Sequence, residues 1–130
     1  METKKIRLTI EQVVQTYLAA WNEHDVQTRR MLLEQCAAED ILIINEHEQL
    51  EGRPEVLQRM TEFRRARPAN RAVLTSRIET VQNWFRFTAE VARLDGTSYS
   101  QILEIGELGQ EGKIVRMVAF RALLPPALNS

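Results

Sequence analysis

TIEQVVQTYLAAW, residues 9–21, is the stretch that decides the fold, because it encodes one amphipathic helix together with its start signal. Thr9 and Gln12 form a capping box, and Leu8 can pack on Val13 as a hydrophobic staple. The apolar side chains of this stretch recur at helical spacing and therefore share one face. They are Ile10, Val13, Val14, Tyr17, Leu18 and Trp21. The sequence predicts a first helix that buries this face.

The composition is typical of an ordinary globular protein. The chain has 130 residues, of which 44% are hydrophobic and 27% charged, with a net charge of −1 and a pI of about 6.2. This length supports a single core, so we predict one domain over residues 1–130 with its core at about residues 9–121. Without a basic excess, neither nucleic acid nor an anionic membrane is expected as a partner.

The N-terminal residues and the single cysteine bear on the location of the protein. Residues 1–7 are charged and no continuous apolar stretch follows them, so we predict neither a signal peptide nor a transmembrane segment. Cys36 lies in a helical pattern and is interpreted as a small buried apolar residue. Since one cysteine allows no intrachain disulfide, a cytoplasmic location is expected.

Two further helices and a short strand follow the first helix. Asp25 is a good N-cap for a second helix, and Gly52 precedes a third helix with Pro54 in its first turn. Between these helices, residues 40–45 are β-branched or apolar and are predicted to form a strand.

The second half of the chain has the pattern of β-structure. Four long runs cover residues 72–82, 84–94, 98–108 and 113–123. Turn-like segments such as Asp95-Gly96 separate them, so consecutive strands should form antiparallel hairpins. Helices that precede an antiparallel sheet predict an α+β domain.

Alternation within these runs predicts which side chains face the core. Phe85, Phe87, Ala89 and Val91 alternate with more polar residues and are predicted to point inward. The last two runs carry apolar residues on both faces. Because an uncovered apolar face needs a partner, the sequence predicts a homodimer formed through the sheet.

Metal and nucleophile chemistry have little support in the sequence. The chain has two histidines and one cysteine, without the spacings typical of metal sites. A Gly-x-Ser-x-Gly elbow, a Walker loop and a dinucleotide fingerprint are also absent, so neither a metal nor a cofactor is predicted. Arg64, Arg65 and Arg67 form a basic cluster at the end of the third helix, which we interpret as a solvated face.

Two residues in apolar surroundings could carry chemistry. Tyr17 lies on the buried helix face, where its hydroxyl needs a partner, either a backbone group or a ligand. Glu104 lies among apolar strand residues, and a carboxylate that faces an apolar interior must be paired, neutralised or functional. The alternative is that Leu103 and Ile105 point inward, in which case Glu104 faces solvent or a dimer partner.

Four segments match a known family in order and spacing. They are VVQTYLAAWNEHD at residues 13–25, AEDI at 38–41, LEGRPEVL at 50–57 and ELGQEGKI at 107–114. These segments resemble the first helix, the entry into the first strand, the glycine-led third helix and the last hairpin of the nuclear transport factor 2-like (NTF2-like) superfamily. This superfamily includes the SnoaL-like cyclases and the ketosteroid isomerases, and the resemblance spans roughly residues 9 to 121.

The resemblance implies a curved antiparallel sheet that three helices wrap into a hollow cone, a cystatin-like or NTF2-like roll. In the ketosteroid isomerases, a tyrosine of the first helix and a protonated acid of a late strand bind the substrate oxygen, and a first-strand carboxylate is the base. By position, Tyr17 and Glu104 match the tyrosine and the acid. Asn45 occupies the position of the base, and an amide cannot accept a proton at neutral pH.

A shift of one or two residues would offer Glu46 or His47 as the base instead of Asn45. The ordinary pKa of histidine suits general-base catalysis. The other interpretation of His47 is an exposed residue at the end of a strand.

Two functions therefore remain open. The first is an enzyme of the isomerase, cyclase or lyase type that moves a proton on a small apolar or polycyclic molecule, with candidate catalytic residues Tyr17, Glu104, Asn45 and His47. The second is a non-catalytic ligand-binding or dimeric accessory domain, which Asn45 favours. Both need an apolar pocket. Its predicted walls are Trp21, Phe63, Phe85, Phe87, Ile102, Met117, Ala119 and Arg121.

Overall fold

The computed structural model describes residues 7–121, which form three helices and one sheet. The helices are α1 (Ile10–Asn22), α2 (Val26–Cys36) and α3 (Arg53–Ala66). The strands are β1 (Ala37–Ile44), β2 (Gln49–Glu51), β3 (Arg71–Leu74), β4 (Glu79–Val81), β5 (Trp84–Ala92), β6 (Ser98–Leu108) and β7 (Ile114–Arg121). The predicted α+β cone is confirmed. The last two residues of the predicted run 113–123 lie outside the described residues.

α1 begins where the sequence predicts. The Thr9 Oγ1 accepts a hydrogen bond from the Gln12 N–H at 3.1 Å, and the Thr9 N–H donates to Gln12 Oε1 at 2.9 Å, which completes the capping box. Val13, Val14 and Tyr17 on the predicted face are buried.

None of the helices in residues 7–121 is long and apolar enough to cross a membrane.

The strands form one unclosed sheet in the order β2-β1-β7-β6-β5-β3, and β4 also pairs with β5. All pairs are antiparallel except β1 with β7, which run parallel. The sheet is therefore mixed, whereas the sequence predicts a wholly antiparallel one. Short turns set the direction of consecutive strands, but β1 and β7 are distant in the chain and meet only through packing.

Residues 72–82 form two short strands, β3 and β4, rather than the single long strand predicted. Both pair with β5, and the ladder is interrupted after Thr75, whose N–H still donates to the Thr88 carbonyl at 2.9 Å. There the Ser76 hydroxyl accepts the Thr88 N–H at 2.8 Å, in place of a backbone carbonyl. A short polar side chain that bonds the backbone in this way competes with strand pairing.

One face of the sheet packs against the helices and forms the core. The alternation predicted for β5 is confirmed, because Phe85, Phe87, Ala89 and Val91 are all buried. On the neighbouring strand, Gly106 lies under the Phe85 ring, and a Cβ added to it would be 2.3 Å from the nearest ring atom. Glycine is therefore needed at this position for the ring to fill this part of the core.

The opposite face of the sheet carries a patch of apolar side chains. Leu103 pairs with Phe120 and Ile105 pairs with Val118 across β6 and β7. Three of these side chains are half-buried, and Phe120 is 52% exposed. This pattern agrees with the two apolar faces that the sequence predicts for these strands.

Candidate functional site

A cavity of about 300 Å³ lies between α1, α3 and the helix-facing side of the sheet. Nine of the sequence-predicted site residues line it. They are Tyr17, Trp21, Asn45, His47, Phe63, Ile102, Glu104, Ala119 and Arg121. The side chains of Glu46 and His47 also border the cavity and are 50% and 75% exposed, so it reaches the surface beside the loop between β1 and β2.

Three predicted wall residues, Phe85, Phe87 and Met117, do not line the cavity. They are buried in the adjoining core. The rings of Phe85 and Phe87 stack with centroids 6.2 Å apart, and Phe85 occupies the space that Gly106 leaves. These side chains fill one part of the hollow predicted for the cone, which confines the cavity to the part that lies beside Glu104.

Glu104 places a carboxyl group in this cavity. Glu104 is 7% exposed. Its cross-strand partners are Phe87 on β5 and Ala119 on β7. Within the described part of the chain, its carboxyl forms neither a hydrogen bond nor an ion pair. Burial raises its pKa to about 7. Near neutral pH the group is therefore partly protonated.

Tyr17 places a hydroxyl in the same cavity. Its ring packs edge-on against Trp21, with centroids 6.4 Å apart, and its hydroxyl bonds no backbone group of residues 7–121. Burial, and next the charge of Glu104, raise the pKa of Tyr17 well above its usual value. The hydroxyl therefore stays protonated and is a hydrogen-bond donor.

Asn45 lies at the end of β1, where its carbonyl oxygen closes the turn into β2. Asn45 Oδ1 accepts the N–H groups of His47 at 2.8 Å and Glu48 at 3.0 Å. Such side-chain to backbone bonds are typical of turns. Because the oxygen is engaged by the loop, Asn45 can offer a ligand only its amide donor, and it cannot serve as a base.

His47 and Glu46 lie at the rim of the cavity. His47 Nε2 is 3.8 Å from Glu46 Oε1, and Glu46 Oε1 is 3.6 Å from Arg121 Nε. Both side chains are well exposed, so His47 matches the interpretation of an exposed loop histidine.

Arg59 also lines the cavity, although it was not predicted from the sequence. Its guanidinium contacts Glu48 in the loop after β1 and Glu62 on its own helix. The i, i+3 spacing to Glu62 could have indicated the second contact. The contact with Glu48 joins distant parts of the chain and had no local signal.

Metal-binding groups do not gather anywhere in residues 7–121: no set of three or more histidine, cysteine, aspartate or glutamate side chains could hold a metal ion. The cavity lining is mainly apolar, with Tyr17 and Glu104 as its buried polar groups. This arrangement can bind an apolar molecule, donate one hydrogen bond and exchange one proton.

Solved structures similar to this chain share its fold. A candidate isomerase of the SnoaL-like family from Agrobacterium tumefaciens is 32% identical, with a TM-score of 0.79, over 84% of this chain and 93% of that one. A SnoaL-like protein of unknown function from Burkholderia thailandensis is 18% identical, with a TM-score of 0.69, over 89% and 99%. A candidate polyketide cyclase from Sinorhizobium meliloti is 17% identical, with a TM-score of 0.65, over 82% and 92%. No protein-family model and no curated protein matches the sequence.

Proposed function

Because the chain belongs to the SnoaL-like family of the NTF2-like superfamily, we propose that its cavity binds a small, largely apolar molecule and transfers a proton on it. An apolar cavity with a few convergent polar groups is the usual form of a small-molecule site. The volume of about 300 Å³ favours a ligand with two or three fused rings rather than a larger one.

The proposed reaction is proton transfer next to a carbonyl group. Tyr17 donates a hydrogen bond to the substrate oxygen. The ionised Glu104 takes a proton from the neighbouring carbon, and the electron pair of that C–H bond forms the enolate. In a substrate with a carbon–carbon double bond next to the deprotonated carbon, the enolate is conjugated with that bond, and return of the proton to the far carbon of the double bond completes an isomerisation. No electrons are lost or gained, so the reaction needs no redox cofactor.

The isolation of Glu104 is the observation that carries this proposal. A general acid or base works best when its pKa lies near the working pH, and burial raises the pKa of Glu104 to about 7. The apolar neighbours of Glu104 on the adjacent strands leave its carboxyl available to a ligand.

Deuterium exchange tests the proposal without knowledge of the natural substrate. In D₂O, we expect the protein to accelerate exchange of the protons next to the carbonyl of 2-tetralone, measured by NMR. Positioned proton transfer contributes roughly 10²–10⁴ in rate, so Glu104→Gln should return the rate to that of buffer. A folded Glu104→Gln variant with undiminished exchange would overturn the proposed role of Glu104.

The amide side chain of Asn45 supports a second candidate function, that of a ligand-binding or accessory domain without catalysis. A carboxamide stands where the resemblance implies a base, and its oxygen is engaged in the turn. Under this alternative, Tyr17, Asn45 and Glu104 provide polar specificity only. The protein would then bind 2-tetralone, detected by calorimetry, without accelerating its exchange.

We also propose that the apolar patch on the outer face of β6 and β7 joins two copies of the chain. Leu103, Ile105, Val118 and Phe120 form this patch, and a partner would remove it from water. Sedimentation should give a dimer, and Phe120→Glu should give a monomer. A wild-type monomer would overturn the proposed homodimer.

The cytoplasmic location expected from the sequence stays a prediction.

A further inference from the structure

The side chain of Asn45 is held in one orientation at the wall of the cavity. Its carbonyl oxygen accepts the N–H groups of His47 and Glu48, and its own backbone N–H donates to the Glu48 carbonyl at 3.0 Å. An amide nitrogen carries only donors, so the N–H groups of the turn must face the oxygen. The NH₂ group is therefore left at the other end of the carboxamide.

The Asn45 NH₂ group is an accessible donor on the cavity side of the sheet. Side chains alternate along a strand, so Asn45 shares a face with Ile43, which is buried and also lines the cavity. No group of residues 7–121 accepts a hydrogen bond from Asn45 Nδ2. The enclosed donors without an acceptor in this part of the chain belong to Arg59, Arg64 and Asn70. Arg64 is 4% exposed, contrary to the solvated face predicted for it, whereas Asn45 is half-buried and borders the cavity.

Asn45 and Glu104 flank Ala119 in one row across the sheet. Glu104 pairs with Ala119 on β7. Ile44 pairs with Val118 in the parallel ladder of β1 and β7. The next residues of these two strands are Asn45 and Ala119, which are therefore neighbours. Adjacent strands lie about 4.8 Å apart, so the backbones of Asn45 and Glu104 are about 10 Å apart. The side chain between them is a single methyl group, which leaves room for a ligand between the amide and the carboxyl.

The turn that carries Asn45 is also tied to the helix side of the cavity. The Glu48 carboxylate contacts the guanidinium of Arg59 on α3, and Glu62 contacts the same guanidinium. This bridge fixes the turn from outside the sheet. A group that is already ordered loses little conformational freedom when a ligand binds. The Asn45 amide is therefore a pre-organised donor.

We propose that the Asn45 amide donates a hydrogen bond to a second oxygen of the ligand, distinct from the carbonyl oxygen that Tyr17 binds. This inference rests on the proposed function and narrows its substrate class to carbonyl compounds with a further acceptor oxygen, such as that of an ether, a hydroxyl or a second carbonyl. The body of the ligand lies over Ala119, with its reacting carbon towards Glu104 and its second oxygen towards Asn45. Asn45 is then a specificity-determining residue.

Methoxy derivatives of 2-tetralone test this inference. The 5-, 6-, 7- and 8-methoxy isomers each place one added acceptor oxygen at a different position of the ring, and calorimetry at pH 7 compares each isomer with 2-tetralone itself. We expect at least one isomer to bind about fivefold more tightly than 2-tetralone, the contribution of one neutral hydrogen bond. The ethyl analogue of that isomer has a similar shape without the oxygen and should lack the gain.

Asn45→Asp exchanges the donor for an acceptor and keeps the oxygen that the turn needs. Because an ionised carboxylate cannot donate a hydrogen bond, the favoured isomer should lose its advantage over 2-tetralone, whatever the affinity of the variant for 2-tetralone. Gln49→Glu is the matched control. It makes the same amide-to-acid change at an exposed residue outside the cavity lining and should keep the advantage.

The outcomes separate this inference from the proposed function. If 2-tetralone binds but no methoxy isomer binds more tightly, the second-oxygen inference is wrong and the proposed cavity function stands. The same conclusion follows if the ethyl analogue shows an equal gain, or if Asn45→Asp behaves like Gln49→Glu. If neither 2-tetralone nor any isomer binds, both fall together.

Discussion

Glu104 and Phe87 lie directly opposite each other across β5 and β6, on the side of the sheet that faces the helices. Opposed residues of antiparallel strands have Cβ atoms about 4.5–5.5 Å apart, so the cross-strand neighbour of this carboxyl is a phenyl ring. The neighbour on β7 is Ala119. Neither neighbour can donate a hydrogen bond to Glu104, and burial alone therefore raises its pKa to about 7.

The raised pKa of Glu104 predicts that stability falls as the pH rises. The unfolded chain releases this proton near pH 4.5 and the folded chain near pH 7. The stabilisation is therefore complete below about pH 4.5 and is lost as the pH rises through about 7. The difference between these two pKa values corresponds to about 3 kcal/mol in the free energy of unfolding.

Urea unfolding of Glu104→Gln measures this effect. Glutamine keeps the shape of the side chain but does not titrate. We expect the free energy of unfolding of the variant to rise, relative to wild type, by about 2–3 kcal/mol between pH 4.5 and pH 8. Glu34→Gln, at an exposed site on α2, should lack this change. A constant difference between Glu104→Gln and wild type over that range would contradict the prediction.

Tyr17→Phe tests whether the Tyr17 hydroxyl binds a ligand or stabilises the fold. The hydroxyl bonds no backbone group of the described residues, and phenylalanine preserves the packing against Trp21. We expect 2-acetylnaphthalene to bind about tenfold more weakly, with the midpoint of urea unfolding nearly unchanged. A clear loss of stability with unchanged affinity would identify Tyr17 as a structural residue.

Asn45→Asp tests whether the missing base limits catalysis. One carboxylate oxygen can still accept the N–H groups of His47 and Glu48, so the turn should persist. The other oxygen becomes a proton acceptor at the cavity wall. We expect deuterium exchange of 2-tetralone to accelerate by about tenfold or more. An unchanged rate in a variant that binds the ketone normally would exclude this position as a base.

Gly106→Ala tests the packing that confines the cavity. The added methyl would overlap the Phe85 ring, and overpacking costs about 1–3 kcal/mol. We expect the urea unfolding midpoint to fall accordingly. The double variant with Phe85→Leu should recover part of the loss, because the smaller side chain vacates the space. Equal stability of Gly106→Ala and wild type would show that Phe85 does not depend on this glycine.

Features that depend on neighbouring residues could be predicted from the sequence. Thr9 and Gln12 form the capping box that their spacing indicates, and Phe85 and Phe87 point inward as the alternation predicts. The helix period places Tyr17 on the buried face of α1, whereas β6 carries apolar residues on both faces, so the inward direction of Glu104 followed only from the family resemblance. The structure brings both to one cavity.

Features that depend on distant contacts could not be predicted. Turn signals do not report the parallel pairing of β1 with β7, and the short β2 was not predicted at all. The contact of Arg59 with Glu48 and the burial of Arg64 arise only when α3 packs on the sheet. The extent to which Phe85 fills the hollow likewise depends on its cross-strand partner, Gly106.

Titration by carbon NMR measures the pKa of Glu104 directly. The signals of ¹³C-labelled glutamate carboxyls are followed from about pH 3 to pH 9, and the signal absent from Glu104→Gln is assigned to Glu104. Burial of Glu104 predicts a midpoint near 7 for this carboxyl in the free protein. A midpoint near 4.5, the value of an ordinary solvated glutamate, would show that the carboxyl is hydrated and would overturn its proposed role as a proton-transfer group.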